Sequence, residues 1–378
     1  MASNTYLLGE LITQRREKNP GENLPIRGVS KHGLIPPKQI DADTGIYNLF
    51  YKNDFVYNPA RMELGSIAFN NQFEKAICSS LYEVFYVHRT DLLLPEYLAL
   101  FVSKPEFARY CNFLSSGSAR EYCRFANISE IKITLPTILE QQKIVHDYKV
   151  VTDRIELLKK INDNLLMTLQ VTYKKMFIES PNTYVTKPLV DLCSKIGSGS
   201  TPRGGKAAYS VDGISLVRSM NVFDYCFSYS ELAHISQEQA NALANVEIQQ
   251  ADILFNITGV SVTRCCIVPD DILPARVNQH VMIIRPYKGK RMSYYIMCTL
   301  CDFKNKTKLL GISQSGSTRE AINKQELEKF EIPVPSDEEL KKFETIATKI
   351  YSIIFANIKE IQTLCKIKEI LLTTLSSR

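Results

Sequence analysis

Features that mark membrane, secreted and metal-binding proteins are missing from this sequence. The 378 residues contain no run of 18 apolar residues, and about that many are needed to cross a bilayer. The opening stretch MASNTYLLGELITQRREK has no apolar core of the kind a secretory signal needs. The five histidines form no HExxH or other local metal pattern. We therefore expect a cytoplasmic protein with no membrane contact and no metal site of its own.

The ten cysteines are scattered and are not spaced as a disulfide framework. Without a secretory signal, this favours reduced thiols. Cys298 and Cys301 form a C-x-x-C pattern inside the apolar, helix-like stretch YYIMCTLCDF, and the adjacent Cys265 and Cys266 lie in a predicted strand. We expect these four side chains in the core, with zinc binding or redox chemistry as the less favoured alternative.

The stretch KIGSGSTPRGGK, residues 195–206, resembles a phosphate-binding P-loop but departs from it at two positions. A P-loop has Gly, four residues, then Gly-Lys-Ser/Thr. Gly205 and Lys206 supply the Gly-Lys, but Ser200 stands where the first glycine belongs and Ala207 where a hydroxyl would hold magnesium. We expect no nucleotide site here, so this glycine-rich basic loop needs another explanation.

No catalytic motif emerges. The segment YNPAR, Tyr57–Arg61, can be compared with the N/D-P-P-F/Y/W motif of amino-methyltransferases, in which an aromatic side chain stacks on the flipped base. Arg61 occupies that position, and no glycine-rich cofactor loop follows a nearby strand. No Asp…Glu-x-Lys nuclease pattern stands out either. We expect no catalytic residue in this chain, and we interpret Arg61 as a phosphate contact at a strand end.

An internal repeat is the most informative feature. SGSAREYCRFANISEIKITLP, from Ser116, matches SGSTREAINKQELEKFEIPVP, from Ser315, without a gap. Upstream, NDFVYN resembles ADILFN, and KAICSSLYEVFYV aligns with PARVNQHVMIIRP. The openings LLGEL and PLVDL also correspond, but over a shorter offset. The second copy therefore has about 18 extra residues near its start, and the glycine-rich loop lies in that variable part.

Each copy ends in a long predicted helix. A strand that ends in proline is followed by a capping box, Thr137-x-x-Glu140 or Ser336-x-x-Glu339. Downstream, apolar residues recur at alternating steps of four and three, which indicates a coiled-coil seam. The seam positions are Ile144, Tyr148, Val151, Ile155, Leu158, Asn162, Leu165 and Leu169, then Phe343, Ala347, Ile350, Ile354, Asn357, Ile361, Leu364 and Lys368.

Two alternatives stay open for these helices. They could be amphipathic helices packed on separate domains, although patterns of roughly 40 residues exceed ordinary globular helices. Asn162 and Asn357 fix the register if they are buried in the seam, and are exposed if the seam is rotated. Because the first helix joins two copies of one unit, we expect the helices to run antiparallel.

These patterns predict an α+β protein. We expect two globular domains with β-sheet cores, separated by two long antiparallel coiled-coil helices and related by a pseudo-two-fold internal repeat. The predicted divisions are residues 1–136, the first domain; 137–180, the central helix; 183–335, the second domain; and 336–378, the C-terminal helix. A helix of this length spans about 60 Å. It is long enough to place the two domains on DNA segments about one helical turn apart.

Nearly the whole chain resembles the specificity subunits of type I restriction-modification enzymes. The strongest matches are LPTILEQQKIV, PLVDLCSKIGSGSTPRGG, ADILFNITG, VNQHVMIIRP and the paired GSAR and GSTR. Leu340 departs from the pattern set by Gln141, and SDEEL replaces LEQQ. The resemblance implies two target-recognition domains, each reading half of a split site in double-stranded DNA, and helices that dock two modification subunits.

The resemblance also places the cofactors elsewhere. S-adenosylmethionine would belong to the partner methyltransferase, and ATP and Mg to partner restriction subunits that cleave DNA. The chain itself would carry no cofactor. Its net charge of +6, from 46 basic and 40 acidic residues, is compatible with nucleic acid but is weak evidence alone.

Candidate DNA contacts are the basic and amide side chains on glycine- and serine-rich segments. In the first domain they are Arg27, Lys31, His32, Lys38, Arg61, Ser118, Arg120 and Arg124. In the second they are Thr201, Arg203, Lys206, Arg218, Asn221, Ser317 and Arg319. Each could instead be a solvated surface side chain. Arg120 and Arg319 recur in both copies, which favours a shared role, either phosphate contact or an ion pair that fastens the loop.

Two other functions stay open at this stage. The chain could target a methyltransferase that has no restriction partner, or it could be a coiled-coil scaffold whose end domains bind proteins. Retention on duplex DNA with a steep salt dependence would separate DNA reading from a protein scaffold.

Overall fold

The structure is a computed structural model that describes residues 4–37, 43–115, 122–314 and 320–374. The chain forms two compact units. The first runs to Leu157 and resumes at Glu360, and the second comprises Leu158–Lys359. Each unit therefore contains one globular region and part of both long helices. Across the described residues, no helix combines the length and hydropathy needed to span a membrane.

Among its described residues, the first unit begins with ten β-strands and three short α-helices before the long helix. The strands are β1 (Asn4–Leu7), β2 (Ile12–Arg15), β3 (Gly28–Ser30), β4 (Gly33–Ile35), β5 (Asn48–Tyr51), β6 (Phe55–Tyr57), β7 (Ile67–Phe69), β8 (Lys75–Cys78), β9 (Glu83–Val87) and β10 (Lys132–Leu135). The helices are α1 (Pro95–Val102), α2 (Pro105–Ser115), α3 (Phe125–Ser129) and the long α4 (Ile138–Tyr173), which passes into the second unit.

The core of the first unit is organised around β6, in an antiparallel sheet of order β2-β9-β6-β7. Alternate residues of a strand face opposite sides of its sheet. Phe55 and Tyr57 pack into one hydrophobic cluster, and Val56 packs into another with Phe50. All three β6 residues are fully buried. Its sequence, FVY, is apolar throughout because both faces of the strand are covered.

The second unit contains twelve strands among its described residues. They are β11 (Val185–Pro188), β12 (Cys193–Ser198), β13 (Ile214–Val217), β14 (Val222–Phe223), β15 (Cys226–Phe227), β16 (Ala233–Ile235), β17 (Glu247–Ile248), β18 (Ile253–Asn256), β19 (Cys265–Ile267), β20 (Ala275–Val277), β21 (Val281–Pro286) and β22 (Glu331–Val334). The helices are α5 (Gln237–Ala242), α6 (Lys290–Cys301), α7 (Phe303–Gln314), α8 (Lys324–Glu328) and the long α9 (Asp337–Thr374), which passes into the first unit.

The second unit repeats the strand order of the first. Its sheet β12-β21-β18-β19 corresponds to β2-β9-β6-β7, and the pair β11–β22 corresponds to β1–β10. Ile253 and Phe255 of β18 face one cluster and Leu254 faces another, as in β6. The units differ in their remaining strands, since the second has a four-stranded sheet β16-β13-β20-β17 where the first has β5–β8. The predicted α+β class and internal repeat are confirmed.

Both long helices begin at the predicted capping boxes. The Thr137 amide donates to Glu140 Oε2 at 3.0 Å, and the Glu140 amide donates back to Thr137 Oγ1 at 3.4 Å. The Ser336 amide donates to Glu339 Oε2 at 2.9 Å, and the Glu339 amide donates to Ser336 Oγ at 3.3 Å. These bonds satisfy donors that the first helical turn leaves free.

The helices run antiparallel within each unit. In the first unit, Lys368 Nζ lies 5.2 Å from the Tyr148 ring centroid, and Arg154 Nε donates to Glu360 Oε1 at 2.7 Å. In the second, α4 residues further along the chain meet earlier residues of α9, as at the contact of Tyr173 with Phe343. Every predicted seam position is buried or half-buried. The coiled-coil prediction is confirmed, in preference to the alternative of amphipathic helices packed on separate domains.

The two seam asparagines meet each other in the second unit. Asn357 Nδ2 donates to Asn162 Oδ1 at 2.7 Å, and both side chains are half-buried. A polar pair inside an apolar seam is satisfied in one register and left unpaired in others. The prediction that they lie in the seam is confirmed, and the bond accounts for the register of this helix pair.

The two helix starts differ at the position of Gln141 in α4 and Leu340 in α9, and the side chain is buried in both. Gln141 is fully buried, and its amide donates to the Leu92 carbonyl at 2.8 Å and accepts from the Leu94 amide at 2.9 Å. Leu340 is fully buried in the core of the second unit. The difference therefore fits each helix to its own globular region and does not alter an exposed surface.

The predicted core cysteines are buried. Cys265, Cys266, Cys298 and Cys301 all lie inside the second unit, and burial raises the pKa of Cys266, Cys298 and Cys301 well above its ordinary value. Thiols held protonated in this way are poor nucleophiles and poor metal ligands. The prediction of core packing is confirmed.

Candidate nucleic-acid interface

Two neighbouring loops of the first unit carry basic residues. Lys31 and His32 are exposed at the turn between β3 and β4, and Arg61 is exposed on the 3-10 turn Pro59–Leu64. That turn ends at Gly65, with a left-handed φ of 67°. A Cβ at Gly65 would lie 3.9 Å from the Lys31 Cβ. The two loops are therefore in contact, and they place three of the predicted DNA-binding residues close together.

A third segment joins these loops. The Cys123 amide donates to the Pro59 carbonyl at 3.0 Å. The next residue, Arg124, is exposed, and its amide donates to Asn127 Oδ1 at 2.9 Å at the start of α3. Arg124 is thus positioned by a strand-end turn on one side and by a helix cap on the other.

Arg27 is held more tightly to the fold. Its guanidinium carbon lies 4.5 Å from the Phe73 ring centroid, and its Nη1 donates to the Ile26 carbonyl at 2.8 Å. These contacts fix the side chain at a half-buried position. Its role in DNA binding stays a prediction, alongside this structural role.

A groove of about 1010 Å³ lies beside Arg124. Within it, Arg16 Nε donates to Gln14 Oε1 at 2.8 Å, and Gln14 Nε2 donates to Glu83 Oε2 at 2.6 Å. Burial raises the pKa of Glu83. The other acidic side chains in the lining are Glu10 and Glu130. Three carboxylates beside two guanidiniums do not favour a phosphate inside the groove. Arg124, which is exposed, stays a predicted DNA contact.

In the second unit the glycine-rich loop is packed against the connection between β20 and β21. The Gly199 amide donates to the Val281 carbonyl at 2.9 Å, and the Ser200 amide donates to the Val277 carbonyl at 3.1 Å. A Cβ at Gly199 would lie 2.2 Å from the carbonyl oxygens of Val277 and Asn278. Glycine is therefore required there for close packing of backbone on backbone.

Four segments of the second unit are linked in series, and we call them the loop edge: residues 199–206, 277–281, 257–260 and 320–322. The Ile257 amide donates to the His280 carbonyl at 3.1 Å, and the Gly259 amide donates to the Glu320 carbonyl at 2.9 Å. The Ile322 amide donates to the Ile257 carbonyl at 2.9 Å. The glycine-rich loop and the segment that follows the SGSTR motif therefore belong to one continuous edge.

Arg203 and Lys206 are exposed on this loop edge. Among the residues that the structure describes, neither forms an ion pair with an acidic side chain. Thr201 differs, because its Oγ1 donates to Gln279 Oε1 at 2.9 Å. The two basic side chains are thus available to a ligand, whereas the threonine hydroxyl is engaged inside the edge.

Arg218 and Asn221 lie behind the loop edge. The Asn278 amide donates to the Val217 carbonyl at 3.0 Å, which joins this segment to the edge. Arg218 is half-buried, lies over the Tyr209 ring and donates to the Glu231 carbonyl.

Asn221 is fully buried, and it supports the backbone around it. Its amide donates to the carbonyls of Ser228 and Ser230 and accepts from the Arg218 amide at 3.0 Å. The side chain has no surface left for DNA, so we correct the expectation and assign Asn221 to the architecture of its turn.

Five predicted contacts lie outside the described residues: Lys38, Ser118, Arg120, Ser317 and Arg319. The described chain resumes shortly after each S-G-S-x-R motif, at Tyr122 in the first unit and at Glu320 in the second. In each unit this resumed segment bonds to the turn that follows β6 or β18.

The structure adds residues that the sequence did not single out. Gln279, His280 and Thr258 form side-chain contacts within the loop edge. The one available signal was the polar group Asn-Gln-His directly before the buried strand VMIIRP. Both units present exposed basic side chains on linked loops, and the second unit adds the amide of Gln279. Side chains of these types contact phosphates and base edges in DNA.

These features define a protein with two sheet-based domains that share one plan and display similar loops, joined by long paired helices. The family described as the type I restriction modification DNA specificity domain matches residues 10–167 and 181–372. The chain belongs to this family and contains two copies of its domain. The resemblance seen in the sequence is confirmed.

Curated relatives are similar at low identity. The chain is 24% identical over 306 residues to the type I restriction enzyme MjaIX specificity subunit of Methanocaldococcus jannaschii, covering 75% of this chain and 69% of that protein. It is 25% identical over 203 residues to a putative type I restriction enzyme MjaX specificity subunit of the same organism, covering 52% and 46%. The second match spans less than half of that relative's length.

A solved structure shares the fold. The crystal structure of the S subunit of a type I restriction-modification system from M. genitalium aligns with a TM-score of 0.63, covering 99% of this chain and 96% of that chain. At 14% identity, this likeness concerns the fold alone.

Proposed function

We propose that this chain gives a type I modification enzyme its DNA sequence specificity. Each unit reads one half of an asymmetric, two-part site in double-stranded DNA. The chain acts without a catalytic centre of its own, in the cytoplasm, and directs partner subunits that carry the chemistry.

One repeated hydrogen bond carries the proposal. In the first unit the Cys123 amide bonds to the Pro59 carbonyl, and in the second the Ile322 amide bonds to the Ile257 carbonyl. In each case the turn after β6 or β18 is hydrogen-bonded to the segment that follows S-G-S-x-R. Because the same link occurs in two units whose loop sequences and remaining strands differ, it supports a shared task for these loops.

The loops have the chemistry for that task. Arg61 and Arg124 are exposed in the first unit, and Arg203 and Lys206 in the second. Guanidinium and ammonium groups on glycine-rich backbone suit phosphate contacts, which position a protein on DNA and make its affinity salt-dependent.

The long helices carry exposed apolar residues. Val150 and Leu157 are seven residues apart on α4 and are each about half exposed, at 52% and 49%. Ile346 and Ile353 on α9 have the same spacing and are also exposed. Residues seven apart lie along one stripe of a coiled-coil helix. We assign these stripes to the docking of two modification subunits, one on each unit.

The cofactors then belong to the partners. S-adenosylmethionine is bound by the modification subunits, and ATP with Mg by the restriction subunits when they are present. A methyltransferase without restriction subunits needs the same specificity chain, so both assemblies are compatible with this role.

The decisive test is co-expression with the cognate modification subunit, followed by genome-wide mapping of methylated bases. We expect methylation at one bipartite sequence, and none from the purified chain alone with labelled S-adenosylmethionine. Methyl transfer that stays with the isolated chain would contradict a non-catalytic role. If the assembly methylated no specific sequence and the chain did not bind duplex DNA, a protein-binding scaffold would be favoured instead.

Docking is tested by placing charge on one stripe. V150E with L157E should remove one modification subunit from the assembly, since an apolar contact becomes a buried charge. I346E with I353E should remove the other. Native mass spectrometry reads the stoichiometry directly. K160E, at an exposed polar position of α4, is the matched control. An unchanged stoichiometry in both double variants would exclude these stripes as the docking surface.

A further inference from the structure

Four side chains connect three segments of the loop edge. Thr201 Oγ1 donates to Gln279 Oε1 at 2.9 Å. Gln279 Nε2 lies 3.4 Å from His280 Nε2, and His280 Nδ1 lies 2.8 Å from Thr258 Oγ1. The glycine-rich loop, the β20–β21 connection and the turn after β18 are thus joined by side chains as well as by backbone.

The contacts of these groups define their arrangement. The Gln279 carbonyl oxygen accepts from Thr201, and its amide nitrogen faces His280 Nε2. On the other side of the ring, His280 Nδ1 faces the Thr258 hydroxyl, which can donate or accept a hydrogen bond. Gln279 is therefore held between the glycine-rich loop and the imidazole ring.

Thr201 lies where the glycine-rich loop leaves the loop edge. The Gly199 and Ser200 amides bond to the β20–β21 connection, and the Ser210 amide bonds to the His234 carbonyl at 2.9 Å. Between these ties, the loop carries Arg203 and Lys206. Thr201 is the last residue bonded to the edge before the two basic side chains.

We propose that Gln279 is a positioning residue for DNA binding. It holds the glycine-rich loop through Thr201, takes its own orientation from His280 and Thr258, and so fixes where Arg203 and Lys206 meet the phosphates. This inference rests on the proposed DNA-reading function of the second unit. In this role Gln279 sets the affinity for DNA and does not select a base.

The first unit lacks the same arrangement and serves as an internal reference. The repeat aligns Gln279 with Ser80 and His280 with Leu81. Ser80 is exposed on the β8–β9 connection, and Leu81 is 70% exposed. Positioning by an amide is therefore a property of the second unit.

The test uses the full chain assembled with its modification subunits and a duplex that contains the mapped site. Gln279→Ala should weaken binding about three- to tenfold, the effect of losing one hydrogen bond that holds a contact group. Thr201→Val should have a similar effect. The double variant should be no weaker than either single variant, because both changes break one link.

Further variants separate positioning from base reading. Arg203→Ala should cost less affinity in the Gln279→Ala background than in the unaltered chain. Thr201→Ser, which keeps the hydroxyl, should restore binding, and Ser80→Ala should change nothing. The methylated sequence should stay the same in every variant. A changed base in the half-site would show that Gln279 reads DNA directly and would overturn the proposal, as would additive losses or unchanged affinity.

Loop position can be measured without DNA. Trypsin cleaves after Arg203 and Lys206, and the Gln279→Ala chain should be cut there several-fold faster because the loop is released. Unchanged cleavage would overturn the positioning role even if DNA binding fell. If the loop is released but the unaltered assembly methylates no specific site, the proposed function fails and the positioning of the loop stands.

Discussion

Gly199 shows how one residue decides between two interpretations of a glycine-rich loop. In a P-loop, glycine allows backbone amides to surround a phosphate. Here the space that a side chain would occupy is taken by the protein's own backbone, since two carbonyl oxygens lie 2.2 Å from where a Cβ would be. The same loop then displays Arg203 and Lys206 to solvent. The glycine therefore serves to attach the loop, and the basic residues are left for the ligand.

Gly199→Ala should destabilise the second unit by about 2–3 kcal/mol, because the added methyl group forces backbone segments apart. Urea unfolding followed by circular dichroism measures the loss. Gly197→Ala is the matched control, since its Cβ would meet the nearest atom at 4.0 Å, the end of the flexible Lys195 side chain. Equal stability of the two variants would show that the loop can shift without cost.

Among the structural elements, the start of α9 combines capping with anchoring. Glu339 accepts from the Ser336 hydroxyl at 2.6 Å, and its other oxygen accepts from Asn182 and Tyr184, each at 2.8 Å. The Ser336 hydrogen bond is the main cause that lowers the pKa of Glu339 to about 2, with Tyr184 and Asn182 adding to it. The carboxylate thus holds both the helix terminus and the chain that enters the second globular region.

This capping carboxylate predicts a pH dependence. The folded pKa of about 2 lies below the ordinary value of about 4.3, so the contribution is fully present above pH 4.3 and is lost as the pH falls through 2. Glu339→Ala should cost about 1 kcal/mol at pH 6, and this difference in unfolding free energy should shrink on acidification. Glu338→Ala, which removes a surface pair with Lys342, should cost only a few tenths.

Local elements of this kind were predictable from the sequence, and the loop edge was not. Capping boxes and the coiled-coil seam depend on residues three to seven apart. The Thr201–Gln279 bond joins residues 78 apart, and only the strand order brings them together. Asn221 has the same polarity as a surface asparagine, and its burial follows from carbonyls seven and nine residues away that it must satisfy.

At the scale of the molecule, the two units share one structural plan and differ in one layer. The order β2-β9-β6-β7 recurs as β12-β21-β18-β19, which keeps the repeated turn and its hydrogen bond in place. The second unit adds a four-stranded sheet and the glycine-rich loop to this plan. A plan common to both units with one differing layer suits the recognition of two different half-sites. Both units can contact phosphates in the same way while their base contacts differ.

Exchange of one reader should therefore alter one half-site. Replacing residues 183–335 with the matching segment of another specificity subunit of this family leaves the described part of the first unit and both long helices in place. The assembled chimera should methylate a sequence with one half unchanged and the other half taken from the donor, as methylation mapping would show. The reciprocal exchange of residues 1–136 is the matched control and should change the opposite half. If a chimera that still binds two modification subunits altered both halves together, the units would not read independently, and the internal repeat would have to serve folding and not a divided recognition site.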